Sequence, residues 1–133
     1  MSPAPSRKRP TDSELAILRV LWRHGPCTVR DVHEHLGRET GYTTILKLMQ
    51  IMTAKGLVVR DESQRTHSYR ARLGEEQTQK HLVKDLITRA FGGSAQKLVL
   101  HALDAAKSSP QELAEIRRLL DQIEPDPSKE AKR

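Results

Sequence analysis

Residues Thr28–Tyr69 read TVRDVHEHLGRETGYTTILKLMQIMTAKGLVVRDESQRTHSY. A short helix starts at Thr28, whose hydroxyl is placed to cap it, with Asp31 three residues on. Val29, Val32 and Leu36 give this helix its apolar face, and Gly37 lies near its end. A longer helix follows from about Tyr42 to Lys55. Its Ile45, Leu48, Met49 and Met52 recur at i, i+3, i+4 and i+7, share one face and should pack inward. Thr43, Lys47 and Gln50 fall on the opposite face. They are short, uncharged or positive side chains of the kind that meet base edges and phosphates in a DNA groove. Gly56 supplies the left-handed residue that stops the helix. Leu57–Arg60 and Ser68–Ala71 then read as two short strands around a polar tip, Asp61–His67. The hairpin region carries Arg60, Arg65, His67, Arg70 and Arg72.

Helix, helix and basic hairpin in that order make a winged helix-turn-helix. Upstream, Thr11-Asp12-Ser13-Glu14 is a capping box that opens a preceding helix. Leu15, Leu18 and Trp22 form its expected inward stripe, supported by Ile17 and Leu21, and Gly25-Pro26 ends it. Residues 1–10 are basic, contain Pro and Ser and are expected to be disordered. Their Arg7-Lys8-Arg9 run is either a minor-groove arm or a solubilising tail.

After Gly74 the pattern becomes purely helical. One helix covers about Glu75 to Phe91, and Gly92-Gly93 breaks it. A second helix starts at Ser94. A third starts at Ser109-Pro110-Gln111-Glu112, where a cap, a proline at the first position and a glutamate at the third coincide. The expected fold is mainly α with a small β-hairpin. A winged helix-turn-helix spans residues 11–73, a three-helix dimerisation domain spans 74–124, and a flexible tail spans 125–133. Leu82, Leu86, Phe91, Leu98, Leu103, Ile116, Leu119 and Leu120 offer more apolar surface than three short helices can hide within one chain. A second copy is the economical cover. The alternative is that these helices fold back onto the winged helix of a monomer.

Charge follows the same division. Residues 1–72 hold 13 Lys/Arg against 7 Asp/Glu, and residues 73–133 hold 10 of each. The whole excess of +6 therefore lies with the helix-turn-helix, which points that half to a polyanion. Asp61-Glu62 at the wing tip would repel phosphate, so the wing's grip must come from Arg65, Arg70 or Arg72. The candidate DNA-contacting residues are Tyr42, Thr43, Thr44, Lys47 and Gln50 on the helix, with Arg65 and His67 in the wing.

Other chemistries find little support. Cys27 is the only cysteine, so neither an internal disulfide nor a cysteine-based zinc site is possible within one chain. It reads as a small buried turn residue. His33 and His35 point in different directions on one helix, and no metal site is expected. Nucleophile motifs, phosphate loops and paired catalytic carboxylates are absent. The chain is read as a non-enzyme without a cofactor. With no signal sequence or 18-residue apolar run, the expected location is the cytoplasm, without direct membrane binding.

Three pieces carry a more specific resemblance. They are Glu14-Leu15-Ala16-Ile17-Leu18 to Trp22, Tyr42-Thr43-Thr44 with Lys55-Gly56-Leu57, and Phe91-Gly92-Gly93-Ser94. In their order and spacing they resemble the penicillinase-repressor family of bacterial regulators (the BlaI/MecI/CopY type), from about Thr11 to Ile123. The resemblance implies a homodimer that represses transcription from a palindromic operator in double-stranded DNA. Many such proteins control β-lactamase or related resistance genes. It also implies that Thr43, Thr44 and Lys47 contact bases and that Arg65 contacts phosphate.

The family's repression is relieved through a membrane sensor with a metalloprotease domain, by cleavage in the dimerisation domain. Leu98-Val99-Leu100 keeps the frame of that site. His101-Ala102 stands where the family has Asn-Phe, which puts cleavage there in doubt. The cysteine-rich copper motif of one branch is missing from the tail. Two other readings stay open at this point. One is a winged-helix regulator that senses a small ligand, and the other is a winged helix used only for protein–protein interaction.

Overall fold

The fold is described from a computed structural model, in which residues 9–37 and 39–123 are placed. The elements in chain order are α1 (Asp12–His24), α2 (Val29–Leu36), α3 (Tyr42–Lys55), β1 (Val58–Asp61), β2 (Ser68–Ala71), α4 (Glu75–Ala90), α5 (Ala95–Ala106) and α6 (Pro110–Gln122). The mainly helical class and the small β-hairpin are as the sequence predicts. Most of the basic arm (residues 1–8) and the tail (125–133) lie outside the described residues. The chain divides into two compact units, with the division between Asp85 and Leu86 inside α4.

Local chemistry fixes the helix starts of the first unit. Thr11 and Thr28 both form complete capping boxes. Each hydroxyl accepts from the amide three residues on, and the carboxylates of Glu14 and Asp31 accept from the cap amides at 2.9 and 3.0 Å. Gly56, at φ 82°, ends α3, and its amide is hydrogen-bonded to the last turn. A side chain at Gly56 would be strained by that angle and would also meet Arg72 at 3.2 Å.

One core serves α1, α2, α3 and the hairpin. Ile17, Val32, Ile45, Met49 and Met52 are fully enclosed, each worth about 2 kcal/mol of apolar burial. On α3 the inward set is Ile45, Met49 and Met52, while Leu48 is only half-buried. On α1 the stripe differs from the expectation. Ile17, Leu18, Val20 and Leu21 are buried, whereas Leu15 and Trp22 sit at the margin. The cause is that α1 packs against α2, α3 and β2 together, so its covered face is wider than one stripe. Trp22 spends its polar edge usefully, donating Nε1–H to the Leu73 carbonyl at 2.9 Å.

The hairpin is antiparallel, pairing Val58 with Ala71 and Asp61 with Ser68. Its second strand gains a further rung. Cys27, in the α1–α2 turn, donates its amide to the Tyr69 carbonyl at 2.9 Å and accepts from the Tyr69 amide at 2.8 Å. Cys27 is buried there, as expected of a small turn residue. Its thiol donates to the Gly25 carbonyl, and burial, followed by the charge of Asp31, pushes its pKa up.

The helices of the second unit have no fully buried residue, and neither does the start of α4. Gly92 and Gly93 both take positive φ in the turn between α4 and α5. Ser94 and Ser109 cap α5 and α6 through their hydroxyls. None of the helices is long and apolar enough to cross a membrane, among the described residues.

Candidate nucleic-acid interface

Three contacts aim α3. Its inward face sits on the core. Its C-terminal Lys55 reaches the Glu14 carboxylate of α1 at 2.6 Å. Its first residue, Tyr42, meets the edge of the His33 ring of α2, with centroids 5.8 Å apart and planes at 76°. Glu14 is 2% exposed, and its partner ammonium is also largely covered. Burial of Glu14 by itself raises its pKa. The hydrogen bond and charge of Lys55, together with Thr11, outweigh that and hold the carboxyl below its ordinary range.

So held, α3 turns a continuous face outward. Tyr42, Thr43, Thr44, Lys47 and Gln50 are all exposed, and Ile51 and Ala54 extend the same stripe. Ile51, 41% exposed, was not singled out from the sequence; it adds an apolar surface among the polar positions. Arg65 and His67 are exposed at the wing tip. They face, with Tyr42 and Leu46, a common groove between the wing and α2. Of the helix candidates, Tyr42 lines this groove with the two wing candidates, while Thr43, Thr44, Lys47 and Gln50 lie outside its lining.

The wing tip is ordered by its own acidic residues. The Asp61 carboxylate accepts from the Ser63 amide at 2.9 Å, which keeps its pKa low. Glu62 pairs with Arg60 at 2.5 Å. Arg60 is therefore committed within the hairpin, and the cations left to meet an anion at the tip begin with Arg65.

Two histidines do something the sequence did not suggest. His24, ending α1, stacks on His35 of α2 with centroids 3.7 Å apart. Desolvation first, then the charges of His35 and Arg23, hold the His24 pKa low. The pairing joins residues distant in sequence, and no local pattern announces it. No group of three or more metal-ligating side chains occurs among the described residues.

The predicted dimerisation residues fall into two grades. Leu82, Phe91, Leu98, Leu103 and Ile116 are half-buried, whereas Leu86, Leu119 and Leu120 are exposed. Leu100 (64%) and Ile123 (65%) are more exposed still and are further candidates from the same helices. His101 and Ala102 are exposed within α5, and the His101 ring contacts Phe91.

Comparison with known proteins fits this geometry. The penicillinase repressor family model matches residues 10–122. A transcriptional regulator BlaI of Mycobacterium tuberculosis is 32% identical over 117 residues, covering 85% of this chain and 83% of the relative. A penicillinase repressor of Bacillus licheniformis is 21% identical over 114 residues, covering 84% and 89%. A MarR family protein from Bacillus stearothermophilus shares the fold, with TM-score 0.51 at 20% identity, over 88% of this chain and 74% of that one. A family model spanning almost the whole chain and a relative of this identity and coverage lead to one assignment: the protein belongs to the penicillinase-repressor family of winged-helix transcription regulators.

Proposed function

We propose that the protein is a homodimeric repressor that occupies a palindromic operator in double-stranded DNA. Residues 11–73 bind the DNA and residues 74–124 hold the dimer. The observation that carries the reading is the exposed Thr43–Thr44–Lys47–Gln50 face of α3 beside a wing that presents Arg65. Helix α3 enters the major groove, α2 braces it across the backbone, and the wing follows neighbouring phosphates. Two-fold symmetry then sets two half-sites about one helical turn, roughly 10 bp, apart or at a multiple of it.

The second copy is expected on α4–α6, where Leu86, Val99, Leu100, Leu119 and Leu120 stay exposed in the single chain. β-Lactamase or related resistance genes are the proposed targets, in the cytoplasm. Relief of repression by a membrane sensor with a metalloprotease domain belongs to the same proposal, with His101-Ala102 as the bond to examine. That bond lies inside α5, so a protease must first unwind the helix.

Footprinting on genomic fragments, including the region upstream of its own gene, tests the reading at several salt concentrations. Protection of a short inverted repeat, with affinity falling steeply in salt, is the expected result. A folded protein whose binding is absent or indifferent to salt would remove it.

Two substitutions refine the assignment. Lys47→Ala should weaken operator binding by about 1–3 kcal/mol and relax preference at one base pair. Equal weakening on every sequence would make Lys47 a phosphate contact. Arg65→Ala should weaken binding uniformly and flatten the slope of log affinity against log salt by about 1. An unchanged slope takes Arg65 out of the interface.

A further inference from the structure

A groove of about 1080 Å³ runs beside the recognition face of α3. Arg30, His33 and Glu34 line it from α2, Tyr42 from α3, and Arg65 and His67 from the wing tip. Tyr69, the other titratable group there, is buried in the hairpin. The edge contact with Tyr42 fixes the His33 ring against the first residue of α3. By helical geometry, Tyr42 and Leu46 border the Thr43–Gln50 edge of the outward face. A strand whose bases meet that face carries its phosphates along this edge.

The charge of the groove depends on its histidines. With both imidazoles neutral, Arg30 and Arg65 against Glu34 leave a formal +1, and with both protonated the groove holds +3. Arg30, Glu34 and Arg65 are present before and after binding. A phosphodiester is the one charge that arrives with DNA, and it favours protonation of a histidine beside it.

We propose that this groove seats the sugar–phosphate backbone of one DNA strand, and that His33 and His67 take up protons as the strand enters. DNA affinity then rises as pH falls through the histidine range. The proposal rests on the DNA-binding reading above. It adds Arg30 and His33 to the interface and protons as a modulator.

Backbone contacts carry little sequence information, so a 30-bp duplex of random sequence is a sufficient probe. Each histidine whose pKa rises by one unit on binding contributes about tenfold in affinity. At fixed salt, affinity should therefore rise about tenfold or more between pH 8 and pH 6. Calorimetry at pH 7, in two buffers of different ionisation enthalpy, should find net proton uptake by the unmodified protein. The double variant His33→Gln, His67→Gln should flatten the pH profile and lose the uptake. His81→Gln, on α4 and away from the groove, should retain both.

Salt-dependent binding without proton uptake, or uptake that survives the double substitution, overturns the groove proposal and leaves the DNA-binding reading intact. Failure to bind duplex at any pH, even at low salt, overturns that reading and the groove proposal with it. Should the double variant fail to fold, the single variants His33→Gln and His67→Gln should each lose part of the uptake, and undiminished uptake in both overturns the groove proposal.

Discussion

Replacing Lys55 by alanine is expected to destabilise the winged-helix unit by about 3 kcal/mol at neutral pH, because it leaves a buried carboxylate without its cation. Glu14 is almost wholly enclosed, and Lys55 lies 2.6 Å from it. What remains after the substitution is the Thr11 cap, which donates one amide to the carboxylate at 2.9 Å. Denaturant unfolding at pH 7 measures the loss. A change below about 1 kcal/mol would class the pair with ordinary surface ion pairs.

The pH dependence of that loss has a definite sign. In the folded protein the Glu14 carboxyl is held below its ordinary value of 4.5. A depressed carboxyl contributes stability that is fully present above the unfolded value and disappears as pH falls through the folded one. The gap between the parent protein and Lys55→Ala should therefore be widest above about pH 5.5 and narrow as acidity passes the carboxylate range. A gap that stays constant from pH 7 to pH 3 would assign the loss to packing of the lysine stem.

Leu119→Asp is expected to separate the dimer and lower operator affinity by about a hundredfold or more. Joining two binding modules commonly adds a factor of 10² to 10⁴ over either alone, and separation forfeits it. Leu119 is 52% exposed on α6, beside Leu120 at 58%. A carboxylate there is harmless to an isolated helix and costly only if a partner covers the position. Sedimentation gives the assembly state, and titration of operator DNA gives the affinity. A variant that remains dimeric and binds normally removes Leu119 from the interface.

What the sequence made legible was local. The boxes at Thr11 and Thr28, the proline start of α6 and the Gly56 stop of α3 each lie within a few residues of the structure they set. The outward face of α3 followed from period alone, since a regular helix leaves no freedom once Ile45, Met49 and Met52 turn inward. The strand boundary shifted by one residue: the Leu57 amide bonds back to the Met52 carbonyl, while the Leu57 carbonyl still accepts from the Arg72 amide beyond the end of the ladder.

Contacts between distant residues left no local trace. Glu14 served visibly as a capping residue, but its partner Lys55 is 41 positions away. The same holds for Trp22 with Leu73, His24 with His35 and Cys27 with Tyr69. One clue was present at Glu14: an acidic residue opening the apolar run Leu15–Leu18 is costly to bury unless a cation meets it. The expected stripe on α1 was too narrow for a related reason. Periodicity describes one covering surface, and α1 has several.

The pair of hydrogen bonds between Cys27 and Tyr69 has a mechanical consequence. Those two residues enclose α2, α3, β1 and the wing tip in a single stitched circuit of backbone, from which the Asp61–Ser68 end of the ladder shuts off the tip. Residues added at the Asp61–His67 tip lengthen a free overhang and leave the seam where it is. Residues added between α2 and α3 must bulge inside the circuit, against helices already pinned at both ends. Variation in length should therefore be tolerated at the tip of the wing and resisted in the turn that precedes α3.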